Sequence, residues 1–401
     1  MIPEGWKQEL ADDLCFKISV GIVVKPAAYY VDEASGVRAF RSANVGEGFV
    51  KDRDWIYISE EGHRINRKSA LKTNDVLIVR TGYPGTACLV PPEYEGSNCI
   101  DIIFARPKPD KIIPSYLCFF TNSEYGKKQV LDGQGGLAQK HFNVGSFKEI
   151  KIPLPPLIEQ RRIAEILSTW DRAIETVEAL IINARAQKKA LRQSLLTGAK
   201  RLPGFAGEWT TLRLGDALAE RSERGGDELP LLSVTQSEGV IYQDRAGRKN
   251  ISSADQSNYK TVRTGDIAYN TMRMWQGASA LSGLHGKVSP AYTIVRPRKG
   301  HDAHFYALMF KWPSMIHVFE RHSQGLVSDT WNLKYPHFSK ITVRVPPFEE
   351  QIAIRRVLET ADDGLVALKD QLTALREEKS ALMQQLLTGK RRVKVVEEAL
   401  A

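Results

Sequence analysis

The sequence predicts an α+β protein organised as a pseudo-twofold internal repeat, with two α+β regions separated by two long helices that pair as an antiparallel coiled coil. Three observations carry this. Pro155-Pro156-Leu157-Ile158-Glu159-Gln160 and Pro346-Pro347-Phe348-Glu349-Glu350-Gln351 open two segments that close on Leu195-Leu196-Thr197-Gly198 and Leu386-Leu387-Thr388-Gly389, at a constant offset of 191 residues. About 17 of the 44 paired positions are identical, which marks an internal duplication. Within both segments the apolar residues recur at alternating spacings of four and three.

The α+β regions come first in each copy. Glu4-Gly5-Trp6 and Gly207-Glu208-Trp209 open them, Thr73-Asn74-Asp75-Val76 corresponds to Thr264-Gly265-Asp266-Ile267, and Phe147-Lys148-Glu149-Ile150 to Phe338-Ser339-Lys340-Ile341. Short β-branched runs read as strands at 55–58, 76–79, 100–103 and 150–152, and again at 231–234, 267–269, 292–295 and 341–343. One helix is expected over 115–132, matched by one over 303–321.

The long helices follow. The seam runs Ile163, Leu167, Trp170, Ile174, Val177, Ile181, Leu191 and Leu195 in the first copy, and Ile354, Leu358, Leu365, Leu368, Leu372, Leu375, Leu382 and Leu386 in the second. A mean period of 3.5 keeps one stripe facing a partner helix. Lys188 and Lys379 interrupt the two seams at the same place, either to fix register or to reach another subunit. Paired prolines, Glu159 and Glu350 in the first turn, and Gly198 and Gly389 after the last turn bound helices of about 35 to 40 residues, or roughly 55 to 60 Å. Gly364 inside the second helix costs roughly 1 kcal/mol, and a local bend is expected there. The run Lys390-Arg391-Arg392 is expected to complement that helix's carboxyl end.

Composition narrows the class. The 401 residues, 42% of them hydrophobic, suffice for two cores, and no apolar run reaches the roughly 20 residues that cross a bilayer. A cytoplasmic location is expected. Cys15, Cys88, Cys99 and Cys118 lack metal-ligand spacing and read as reduced core residues. The net charge of +9 favours a polyanionic partner, because neutralising phosphates releases condensed counterions.

Candidate binding residues concentrate in loops. Arg80, Thr81 and Tyr83 follow one strand, and Asn270, Arg273, Trp275 and Gln276 occupy the equivalent place. A second pair of loops holds Gln134 with Lys140, and Gln324 with Lys334. Arginine, asparagine and glutamine make the paired hydrogen bonds that read base edges, so both pairs are candidate reading loops on double-stranded DNA. Arg53, Arg64, Arg67, Lys68, Arg245 and Arg248 are candidates for phosphate contact. Catalytic patterns are thin. No Asn-Pro-Pro-aromatic methyltransferase motif and no phosphate-binding loop occurs, Asp110 with Glu149 and Lys151 imitates a nuclease site in one copy only, and His301 and His304 have no third ligand, so no metal site is expected.

With Pro155, Pro156, Glu159, Gln160, Leu195, Leu196, Thr197, Gly198 and their second-copy counterparts, the chain resembles the specificity subunit of type I restriction-modification systems over essentially its whole length. The resemblance implies two target recognition domains at 1–152 and 201–344, spacer helices at 153–200 and 345–392, and a tail at 393–401. It implies that each recognition domain reads half of an asymmetric bipartite site while the helices fix the unread gap. It also implies two methyltransferase (modification) subunits and ATP-dependent restriction subunits as partners. S-adenosylmethionine, ATP and Mg would then be bound by those subunits, with no cofactor and no catalysis on this chain. A coiled-coil adaptor with a non-DNA ligand and a self-contained DNA-modifying enzyme are the alternatives.

Overall fold

The computed structural model describes residues 3–133, 142–224, 226, 228–235, 238–246, 255–327 and 330–393. The chain divides into two compact units, Met1–Leu180 with Lys369–Ala401, and Ile181–Leu368. Each unit therefore takes the beginning of one long helix and the end of the other.

The long helices span Leu157–Thr197 and Phe348–Leu386. Both start on the residue after the paired prolines, which cannot continue the strand ladder before them. Gly198 and Gly389 each adopt φ of 71°, the left-handed conformation that suits glycine, and their amides bond back to Leu195 and Leu386. The second helix runs unbroken through Gly364, which has open space around it, so the composition cost is met without a break.

Around the helix starts the two units repeat one sheet. In the first unit β1 (Cys15–Val20), β2 (Val76–Ile78), β3 (Ala87–Leu89) and β4 (Ile103–Pro107) pair antiparallel in the order β1-β4-β2-β3. In the second, β5 (Leu218–Glu220), β6 (Ile267–Asn270), β7 (Ser279–Leu281) and β8 (Tyr292–Pro297) pair in the order β5-β8-β6-β7. A further two-stranded ladder joins Lys7–Leu10 to Lys151–Leu154, and its counterpart joins Thr210–Arg213 to Thr342–Val345. The first unit adds a four-stranded sheet from Tyr30–Val31, Gly36–Phe40, Ile56–Ser59 and Asn98–Cys99.

Each helix expected beside the sheet is in fact two. Pro114–Asn122 and Glu124–Asp132 are separated by Ser123, whose hydroxyl caps the second by accepting from Gly126 N, and a side chain at Gly126 would strike Phe120 O. Ala303–Phe310 and Pro313–His322 are separated because Pro313 has no amide to continue the ladder.

The main core of each unit includes residues from both long helices. Ile163 and Leu167 pack with Met383, Leu386 and Leu387 in the first unit, and Leu195 and Leu196 with Ile354 and Leu358 in the second. All four cysteines are free and buried, and burial pushes each thiol up, Cys15 to about 12. Among the described residues no helix is long and apolar enough to cross a membrane.

Candidate nucleic-acid interface

The repeated Glu-Gln pair organises each unit. Glu159 is buried and accepts two hydrogen bonds from Arg392, Nε to Oε1 at 2.7 Å and Nη2 to Oε2 at 2.9 Å, with Trp6 Nε1 adding a third at 3.2 Å. Glu350 is buried and accepts from Arg201 at 2.6 and 2.7 Å. Arg201 and Arg392 are themselves 191 residues apart, so one clasp is built twice. Each carboxylate holds its guanidinium above the ordinary arginine value through these hydrogen bonds. The expectation that Arg392 complements its own helix end is thereby corrected: it crosses to the first turn of the other helix, because a buried carboxylate demands a partner. The two clasps differ in one respect, since among the described residues Trp209 Nε1 is buried without a partner where Trp6 has one.

The neighbouring glutamine pins the α+β region to the helix. Gln160 accepts from Ile113 N at 2.9 Å and donates to Lys111 O and Pro155 O. Gln351 accepts from Asp302 N at 2.9 Å and donates to Pro346 O. Both bonds fall at the entry to the short helices beside the sheet.

A second buried pair anchors each sheet. Asp75 accepts from Arg106 at 2.8 and 2.7 Å, and Asp266 from Arg221 at 2.7 and 3.0 Å. The arginines come from different strands, Arg106 on β4 and Arg221 just beyond β5, so sequence offset does not reveal their equivalence. Asn74 and Gly265, immediately before, both take positive φ and turn the chain into β2 and β6.

From these anchored strands the candidate loops project. In the second unit Leu333 N bonds Thr271 O at 2.7 Å, and Trp275 meets Trp331 edge to face at 5.4 Å. The two loops carrying Asn270, Arg273, Trp275, Gln276, Gln324 and Lys334 are thus brought together. Arg273, Gln276, Gln324 and Lys334 are exposed, while Asn270 is half-buried and accepts from Met272 N. In the first unit Thr81 and Tyr83 are exposed at a loop tip, Tyr83 to 84%. Arg80 is engaged, with Nη1 on Asp101 at 3.0 Å and Nε on Phe142 O at 3.3 Å. Gln134, Lys140 and Arg248 lie outside the described residues.

The other cations are spread out. Arg64 and Arg67 line a shallow cleft with Glu60, Glu61 and His63, Lys68 follows, and Arg53 is exposed. Arg245 is exposed, with its guanidinium 5.8 Å from the Tyr242 ring. Sequence reasoning missed Arg38, which sits over the rings of Trp55 at 5.0 Å, Tyr94 at 5.4 Å and Tyr57 at 6.0 Å. Nothing in the spacing of these residues signals that a sheet will gather them. Trp55 Nε1 also donates to Asp52 at 2.6 Å, and this bond, with one to Tyr94, holds the Asp52 carboxyl below its usual range.

The helix seams are never exposed. Ile163, Leu167, Val177, Ile181, Leu195, Ile354, Leu358, Leu365 and Leu386 are buried, and Trp170, Ile174, Leu191, Leu368, Leu372, Leu375 and Leu382 are half-buried. Lys379 pairs with Asp171 in the first unit and Lys188 with Asp362 in the second. Both members of these pairs are related by the 191-residue offset, and Arg376 with Glu178 adds a second contact between the helices in the first unit. Each seam lysine thus has a partner on the opposite helix. Among the described residues no three metal-ligating side chains cluster, and His301 and His304 take separate partners, Tyr306 and Glu359.

An α+β repeat closed by paired long helices, with exposed basic and amide-bearing loops, is the class of protein that this geometry defines. Residues 46–184 match the family described as the type I restriction modification DNA specificity domain. A putative type I restriction enzyme MjaX specificity subunit of Methanocaldococcus jannaschii is 24% identical over 98% of this chain and 95% of its own length. The EcoKI specificity subunit of Escherichia coli K12 is 32% identical over 49% of this chain and 43% of its own. Among solved structures, the HsdS subunit from Thermoanaerobacter tengcongensis shares the fold with a TM-score of 0.55 at 17% identity, covering 97% of this chain and 98% of that one. A chain from a study of complex assembly in the type I R-M system gives 0.60 at 18% identity, covering 98% and 100%. The chain is thus similar over nearly its whole length to type I restriction-modification specificity subunits.

Proposed function

We propose that this chain reads an asymmetric, bipartite DNA site, one half with each of two target recognition domains at 1–152 and 201–344. The long helices, at 153–200 and 345–392, pair antiparallel and act as a ruler for the unread gap, and 393–401 is a tail. The chain is non-catalytic. It works in the cytoplasm as the scaffold for two modification (methyltransferase) subunits and for the restriction subunits, which supply S-adenosylmethionine, ATP and Mg chemistry. One observation carries this reading: the same sheet, Glu-Arg clasp and lysine-aspartate pair occur twice, and each copy carries loops with exposed groups able to contact bases or phosphates.

The decisive experiment maps methylated bases genome-wide by single-molecule sequencing in cells carrying this chain with its modification subunit, against cells lacking only this chain. Loss of one split, asymmetric methylated motif is expected. An unchanged methylome with an active modification subunit would leave an adaptor without DNA specificity as the better reading. The ruler has its own test. Four residues inserted into one helix add about 6 Å of rise and should lengthen the gap by roughly two base pairs.

A further inference from the structure

The paired loops of the second unit carry an apolar protrusion that polar base reading leaves unexplained. Leu326 is 100% exposed and Val327 58%. The base of the loop that carries them is closed by hydrogen bonds. Gln324 and Asn332 exchange two backbone hydrogen bonds of 2.8 Å, and the Asn332 side chain donates to Gln324 O at 3.2 Å. Gly325 holds φ of 142°, and a Cβ there would meet Thr330 O at 2.7 Å, so only glycine fits beside that carbonyl. The Trp275 and Trp331 pair and the Leu333 to Thr271 hydrogen bond tie this segment to the other loop.

Exposed cations belong to the same two segments. Arg273 and Lys334 lie on the tied loops and Arg321 just before them, all exposed, as are the amides of Gln276 and Gln324. Between residues 321 and 334 the one carboxylate in the sequence is Asp329, which lies outside the described residues. A leucine carried on the same segments as these cations and amides suits a polyanionic surface that also offers an apolar spot. On the edges of an intact duplex the major groove offers one apolar group that stands out, the 5-methyl group of thymine; the other groups that distinguish the base pairs there are hydrogen-bond donors and acceptors.

We propose that Leu326 reads a thymine methyl in the half-site addressed by the second unit, with Gln324 and Gln276 as its polar neighbours. This rests on the DNA-recognition reading above and adds to it the base chemistry and the residue. Burying one methyl against leucine is worth about a fourfold change in affinity.

The test uses the full chain assembled with its modification subunits and duplexes of the mapped target, in which each thymine is replaced in turn by deoxyuridine. Anisotropy competition gives Kd for the native complex and for Leu326→Ala and Leu326→Met. One deoxyuridine in the second half-site should weaken native binding about fourfold. Leu326→Ala should weaken binding to the thymine duplex similarly and be indifferent to that deoxyuridine, while Leu326→Met should keep the sensitivity. Deoxyuridine in the other half-site should show no coupling to Leu326. Additive effects, or no sensitive thymine, would overturn the proposal. So would a Leu326-dependent kink insensitive to the methyl, which is the signature of a wedge between base steps, or loss of subunit assembly with unchanged DNA discrimination. A native complex that selects no split sequence would sink the DNA-recognition reading itself, and is seen before any substitution is made.

Discussion

Two kinds of buried carboxylate do the structural work at the level of single residues. Asp266 beside β6 is satisfied by both prongs of Arg221 and by Arg263 N. Removing a guanidinium from such a site leaves an uncompensated charge in a poor solvent, which outweighs the loss of the contact itself. Arg221→Met should therefore lower stability by roughly 3 kcal/mol, read as a fall in the urea midpoint, and adding Asp266→Asn should recover part of the loss. If the single and double variants unfold together with the native chain, the pair is not an anchor. The sequence made Asp75 and Asp266 visible through their shared offset. Their partners stayed hidden, because Arg106 and Arg221 come from strands that differ between the copies. Glu159 and Glu350 were likewise legible as helix-start residues but not as halves of a clasp, since their arginines lie 233 and 149 residues away.

At the scale of elements, periodicity transmits what single positions cannot. The seam predicted from spacing is buried or half-buried along both helices, because a 3.5-residue repeat leaves one stripe and no freedom about which side it faces. The two lysines in that stripe were ambiguous from sequence alone. In each unit the lysine meets an aspartate that is itself 191 residues from its counterpart, so the pairs report register. Lys379→Asp should destabilise the first unit by about 1 kcal/mol, and Lys379→Asp with Asp171→Lys should restore it. A thermal melt of the four species closes the cycle; absence of rescue would show that the lysine serves something other than register. The short helices beside the sheets were less legible. Their total extent was right, but Ser123 and Pro313 split each into two, a local effect that a long amphipathic window averages away.

For the whole molecule, the decisive fact is that the first unit is built from two separate stretches of chain, while the second is the single stretch Ile181–Leu368, and each holds the beginning of one long helix and the end of the other. Residues 369–393 complete the first unit with Met383, Leu386, Leu387 and Arg392. The 191-residue offset makes Leu195, Leu196 and Arg201 the counterparts of Leu386, Leu387 and Arg392, while Met383 corresponds to Arg192. A fragment of residues 1–205 therefore carries both a clasp carboxylate and a clasp arginine, and should form a symmetric dimer that reads a symmetric site. Sedimentation would show it, and Arg201→Ala in that fragment should shift it toward monomer. A well-behaved monomeric 1–205 fragment would contradict the clasp.

The same clasp brings the two described ends of the polypeptide side by side. Arg392 donates to Glu4 O at 2.8 Å, as Arg201 does to Gly207 O at 2.7 Å, and Pro3 lies against Gly389 so closely that no side chain would fit there. Within the first unit, residues 3–6 and 389–392 are thus neighbours in space, as the two ends of the Arg201–Trp209 connection are in the second. Joining the ends by a short linker and reopening between Pro203 and Gly204, where a side chain would meet nothing, should give a permuted chain that directs methylation to the same target.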